Sequence, residues 1–177
     1  MAAEETIKAL DGMNLILLWR LLEKDKTENA SKLMFGTEHS IEGSIEGGDA
    51  TTTKDGQVGG GGSVTEEVSV TSVVGRKDPV FKMLEDAFYQ RKILELWEID
   101  RTEAEKDGLN DGKYMATYRR GRLMSWNKSA PADDKVTIEL TFAVDGVKQE
   151  GYTPLDEKQE QAVQYAFRTT EMVKGEE

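Results

Sequence analysis

Cysteine is absent from this chain, and histidine occurs once, at His39. The first absence excludes a disulfide framework, a thiolate zinc site and a thiol nucleophile together. The second excludes a multi-histidine metal centre, including the HExxH type. Long apolar runs are missing too. The longest strongly apolar stretch, Leu15 to Trp19, falls far short of the ~20 residues a membrane helix requires. The opening MAAEETIKALDG is acidic and has no apolar h-region, so no secretory signal is expected. Bases are scarce relative to acids, 23 Lys and Arg against 34 Asp and Glu, a formal net charge of −11. A chain of that sign is poorly suited to gripping phosphate backbones, an affinity that comes from clustered Lys and Arg.

What is present reads as one polar but globular domain over residues 1–177. Residues 1–12 form an arm ending in the turn pair Asp11-Gly12. Met13 to Leu22, MNLILLWRLL, is apolar at nearly every position and reads as a strand buried on both faces, since no N-cap signal precedes it. A short strand over Lys32 to Phe35 follows a turn near Thr27 to Ala30. Residues 36–63 change character, with 9 of the 17 glycines, seven Ser or Thr, and only Ile41, Ile45 and Val58 as large aliphatics. Such composition predicts a long flexible loop, and Gly59 to Ser63 has the composition of a linker.

Val64 to Val74 alternates cleanly, with Val64, Val68, Val70 and Val74 opposite Thr65, Glu67, Ser69 and Thr71. A helix over 78–91 is predicted from the Asp78 N-cap, Pro79 at the first position and the stripe Val80, Leu84, Ala87 and Phe88. Lys92 to Asp100 is a further strand, and Arg101 to Gly112 a polar loop with two Asp-Gly turns. Lys113 to Lys128 reads as one bent strand or two short ones, with Gly121 as a bulge or corner. Val136 to Val144 repeats the alternation, with Thr137, Glu139 and Thr141 opposite its apolar residues. Within 154–177, Asp156 and Gln159 have capping-box spacing before Ala162, Val163, Ala166 and Phe167, although a strand suits that stretch as well. These elements together predict a mainly β fold, an antiparallel sandwich or barrel with one or two helices.

No catalytic or cofactor motif stands out. Gly59 to Gly62 lacks the lysine of a phosphate-binding loop. Asp107, Asp111 and Gly112 resemble a calcium loop, but Leu109 occupies an oxygen-ligand position and Tyr118 replaces the closing glutamate. Acid pairs for glycoside chemistry leave no mark in sequence, and with this many acids a solvated face is the simpler reading. His39 has no triad partners at useful spacing and reads as incidental. Tyr118-Arg119-Arg120-Gly121-Arg122 is a dense basic cluster, read as pairing with acids on the same or a neighbouring subunit. No metal, no cofactor and no enzyme activity are expected.

The order of segments resembles the major tail, or tail tube, proteins of phages with long flexible tails. The matching stretches are ETIKALDGMNLILLWRLLE, KLMFGTEHSIEGS with TTTKDG, EEVSVTSVV, DPVFKMLEDAFYQRKILELWEID, GKYMATYRRGRLMSWNKSAPADDKVTIELTFAVDG and GYTPLDEKQEQAVQYAF. The resemblance implies a two-sheet β-sandwich flanked by a helix, with a long loop and extended N- and C-terminal arms. It further implies that six copies close into a ring and that rings stack into a tube. That tube would enclose a tape measure protein, join tail-tip and tail-terminator proteins, and conduct DNA without sequence preference. The setting would be the virion tail, with assembly in the host cytoplasm. On that reading Thr65, Glu67, Ser69, Thr71, Thr137, Glu139 and Thr141 face the lumen. Ile41, Ile45, Asp49, Lys54, Asp55, Val58, Arg119, Arg120 and Arg122 would form contacts between subunits or rings. The alternative is a glycan-binding β-sandwich using exposed Trp97, Trp126 and Tyr118.

Overall fold

A computed structural model of the chain describes residues 7–49, 51–156 and 159. The strands in order are β1 (Leu15–Leu21), β2 (Ser31–Lys32), β3 (Gly36–Glu46), β4 (Thr51–Thr53), β5 (Gly56–Val58) and β6 (Ser63–Val73). The helix α1 (Pro79–Tyr89) follows, then β7 (Leu94–Asp100), β8 (Tyr114–Ser129), β9 (Thr137–Val144) and β10 (Gln149–Thr153). Eight strands form one sheet in the order β2-β1-β7-β8-β9-β6-β3, with β10 paired to β8. Each pairing is antiparallel. Thus the fold is mainly β, antiparallel and flanked by a helix, as the sequence predicts.

The two expected layers are present as two halves of one hydrogen-bonded sheet, joined through β8. Gly121 is the joint. It pairs with Leu94 of β7 on one side and Val144 of β9 on the other. A Cβ at this position would sit 1.9 Å from the Ala143 carbonyl oxygen, so only glycine permits this approach. The β-bulge itself lies just beyond, where the register shifts between Leu123 and Ser125.

The halves face each other across the main core. Leu17 and Trp19 of β1 and Leu94 and Leu96 of β7 meet Val68 and Val70 of β6, Leu140 and Phe142 of β9, and Val80, Leu84 and Ala87 of α1. A second cluster on the opposite face of β1 and β7 joins Ile16, Leu18, Ile99 and Ala116. So β1 is buried on both faces, which is why its sequence is apolar without alternation. Asp78 caps α1 by accepting from the amides of Val80 (2.9 Å) and Phe81 (3.4 Å), and its second oxygen accepts from Met34 N–H. The helix start is thereby tied to the turn between β2 and β3. At the far end, Asp156 and Gln159 exchange side-chain to backbone bonds of 2.8 Å each, the reciprocal pair their spacing predicts. The rest of the expected C-terminal helix, including Ala162 to Phe167, lies outside the described residues.

Residues 36–63 depart from the expected unstructured loop. Gly36 to Glu46 is a full strand paired to β6 from Gly36↔Ser72 through Glu46↔Ser63, and β4 and β5 form a hairpin. The signal was weak for a physical reason. Beyond Glu67, where pairing to β9 ends, the β3–β6 ribbon projects from the body and buries little. Its underside residues Ile45 and Val64 are 71% and 55% exposed. Backbone pairing, with few apolar contacts, defines this ribbon.

Candidate functional site

The inward residues of β6 and β9, Val68, Val70, Leu140 and Phe142, are 0–5% exposed. Strand alternation sends their neighbours outward. The register places Glu67 beside Ala143, Ser69 beside Thr141, Thr71 beside Glu139 and Val73 beside Thr137. Thr65, Glu67, Ser69, Thr71, Thr137, Glu139 and Thr141 therefore share one outward face. β3 widens that face with Glu38, Ser40, Glu42 and Ser44, and β8 adds Ser125, Asn127 and Ser129. The Ser44 and Thr65 hydroxyls lie 2.8 Å apart, and the Asn127 amide donates to Glu139 at 3.5 Å. Glu42 and Glu67 stand directly opposite each other across β3 and β6, a like-charge pair that weakens a sheet. Among the described residues, the cations these strands turn to this side are Arg120 and Arg122 of β8, both exposed where the strand passes from β9 to β7. Arg122 lies at the margin, 3.7 Å from Asp145 and donating to the Arg91 carbonyl. The bulge turns one large apolar side chain, Met124, out at the same margin.

The residues expected at subunit contacts separate into two groups. Ile41, Ile45, Val58, Asp49, Lys54 and Asp55 are all exposed on the ribbon and hairpin. Arg120 and Arg122 are exposed as well. Arg119 is not. It is 3% exposed, and its guanidinium is paired with Glu66 across the core, so the expected contact role is corrected for this residue. Strand parity explains it, because Arg119 shares its face with Gly121 and Leu123, which enter the core.

The neck of the hairpin is built from close-packed glycine rather than free linker. A Cβ on Gly60 would lie 2.6 Å from the Asp49 carbonyl oxygen, and one on Gly48 would lie 2.6 Å from that of Gly60. Gly59 and Gly61 meet nothing. Two of the four consecutive glycines are thus unconstrained by neighbours.

His39 is not incidental. Its Nε2 lies 2.8 Å from Glu98 of β7, and both side chains are mostly buried. That hydrogen bond holds the Glu98 carboxyl below its ordinary range, against the opposing pull of burial. Trp97 packs against Tyr118 with ring planes tilted by 46°, under Arg20, which pairs with Glu95 at 2.7 Å. Burial, then the bond to Glu95, pushes the Tyr118 hydroxyl up to about 12. Trp126 packs against Phe81 and Phe88 of α1. These aromatics serve packing and internal networks rather than an open binding platform. No cluster of three or more metal-ligating side chains converges among the described residues. Sequence reading could not find the ion pairs Arg119–Glu66, across the core, and Arg20–Glu95, between adjacent strands, because their partners are 53 and 75 residues apart.

Comparison with known proteins places this geometry. Residues 9–150 match the family model described as phage tail tube protein. A putative tail protein of Staphylococcus phage phiMR25 is 30% identical over 145 residues, covering 80% of this chain and 74% of that one. Tail tube protein gp17.1* of Bacillus phage SPP1 is 30% identical over 117 residues, 66% of this chain and 42% of that one. The solved SPP1 tail tube superposes with a TM-score of 0.72 at 21% identity, covering 95% of this chain and 96% of that chain. A subunit from the tail of an empty GTA particle, determined with C6 symmetry, has a TM-score of 0.59 at 15% identity, covering 80% and 98%.

Proposed function

The chain belongs to the phage tail tube protein family, a structural component of the virion tail, and from that premise we propose how its surfaces serve a tube. Six copies close into a ring, and rings stack into a hollow tube. Within it, the face built by β3, β6, β8 and β9 lines the lumen. The observation that carries this reading is the near absence of cations from that face across four strands. Each Lys or Arg on such a wall would displace counterions from passing DNA and create a sticking point, whereas Ser, Thr and Glu leave phosphates mobile. The lumen encloses the tape measure protein during assembly in the host cytoplasm and later conducts DNA. The tube ends join tail-tip and tail-terminator proteins.

The open edge of β3 fits the same account. Among the described residues no strand pairs with its outer side, and such an edge is a liability in a free subunit that a neighbour in a ring removes. The ribbon and hairpin, exposed on both sides, are the elements that reach neighbours, with Ile45, Val58 and Val64 supplying apolar area. The protein acts by assembly and catalyses nothing.

Sedimentation and negative-stain imaging over a wide concentration range, with and without a tail-tip complex as nucleus, test the assembly. Rings and tubes are expected. Monomers under every condition would overturn the reading.

A further inference from the structure

Among the described residues, three other than glycine hold a left-handed backbone, and one of them is an exposed aromatic. Phe35 stands at φ 58° with 61% of its surface exposed. A bulky residue in that region is an outlier, kept only where its surroundings enforce it. Here they do. Met34 N–H donates to Asp78 at 3.0 Å, and the Ser72 hydroxyl donates to the Met34 carbonyl at 2.9 Å. Val73 N–H donates to the Phe35 carbonyl at 3.0 Å. The ring lies against Gly75, 3.4 Å from where a Cβ would stand there. Beside it, the turn after β6 exposes Arg76 and Lys77. Neither cation forms an ion pair among the described residues. The adjoining connection, tied to this turn by Val74 N–H donating to Val136, carries exposed Asp133, Asp134 and Lys135.

This knuckle and the β4–β5 hairpin occupy opposite ends of one ribbon. Phe35 precedes β3 and Gly75 follows β6, while the hairpin joins the far ends of both strands. The 11 residues of β3 set the two ends about 33 Å apart, so a subunit's own hairpin does not reach its knuckle. The hairpin end is complementary in charge. Glu46, Asp49 and Asp55 stand against Lys54 alone, and Val58 is 59% exposed. On the reading that rings stack, we propose that the knuckle of Phe35, Arg76 and Lys77 is the docking site for the hairpin of a second copy in the next ring. Phe35 is the apolar anchor for Val58, and the two cations receive Asp49 and Asp55. Aromatic and Arg side chains are the types that concentrate binding energy at interfaces. A ring whose backbone is already fixed also loses little freedom on docking. Copies with a net charge of −11 repel one another over most of their surface, so two unpaired cations select where an acidic hairpin lands. The contact joins two different surfaces head to tail, which repeats without closing and extends a filament.

Phe35→Asn tests the anchor, because asparagine tolerates the left-handed backbone and lacks the ring. Its unfolding midpoint is expected at or above that of the unaltered protein. The concentration needed for tube growth, followed by light scattering and electron microscopy, is expected to rise about tenfold or more. Arg76→Glu with Lys77→Glu is expected to do the same while rings still form, and adding Asp49→Lys with Asp55→Lys to restore growth. Undiminished tube growth in Phe35→Asn or in the Arg76 and Lys77 reversal would overturn the knuckle and leave the assembly reading standing. So would a fourfold variant that grows no better than the twofold one. Loss of rings together with tubes would put the contact inside a ring and overturn the head-to-tail docking. An unaltered protein that never polymerises overturns the assembly reading, and this contact with it.

Discussion

Trp19 meets Phe142 edge-on, with ring centroids 5.4 Å apart and planes at 86°. This contact joins β1 to β9 across the core, and with it the two halves of the sheet. Both rings are almost fully buried. Phe142→Ala removes the partner and leaves a cavity where neither layer can collapse freely. It is expected to cost about 3–5 kcal/mol, measured as a shift of the urea unfolding midpoint.

Gly121→Ala tests the joint. Its new methyl would collide with backbone rather than a movable side chain, so β8 and β9 must separate. Gly151 is the matched control, a strand glycine with nothing within 4 Å of a Cβ. Gly151→Ala is expected to stay within about 0.5 kcal/mol of the parent, while Gly121→Ala loses several times that in thermal or denaturant unfolding.

Much of this architecture was legible in sequence because each signal had one dominant cause. The unbroken apolar run of β1 reports burial on two faces, and the alternation of β6 and β9 reports a half-buried layer. Asp78 and Pro79 mark the start of α1 through groups that cap a helix wherever it sits. β3 was illegible because its pattern, with His39, Ile41, Gly43 and Ile45 inward, is broken by glycine and histidine and projects past the core. The pairs His39–Glu98, Arg119–Glu66 and Arg20–Glu95 were invisible for another reason. Only the folded sheet brings β3 to β7, β6 to β8 and β1 to β7, and no local spacing encodes those meetings. The outward face of β6 and β9, proposed here as the lumen wall, was read from parity alone, and the structure adds the β3 and β8 residues that share that face.

The Tyr118 hydroxyl gives a direct spectroscopic test of the Arg20–Glu95–Tyr118 network. Burial and the bond to Glu95 favour the neutral phenol, so the folded value is raised to about 12. The stability this contributes is fully present below the unfolded value of about 10 and is lost as pH rises through the folded one. An ultraviolet titration of phenolate absorbance should therefore show a component near 12 that disappears in Tyr118→Phe. Unfolding at alkaline pH should depend on the same residue.

The glycine neck separates folding from assembly. Gly60→Ala drives a methyl into the backbone at Gly48 and Asp49, whereas Gly59→Ala enters open space. Neither touches the main core, so both variants should unfold near the parent midpoint. Only Gly60→Ala should lose tube growth, scored by electron microscopy and light scattering.

The central claim is that the cation-poor sheet face looks into the channel, and a reconstruction of assembled tubes tests it most directly. The account predicts a six-fold tube in which Glu67 and Glu139 of every subunit project into the lumen. It further predicts that reversing both to Lys leaves rings intact while making tubes retain DNA at low salt. A map that places these two side chains on the outer surface, or buries them between rings, would contradict it.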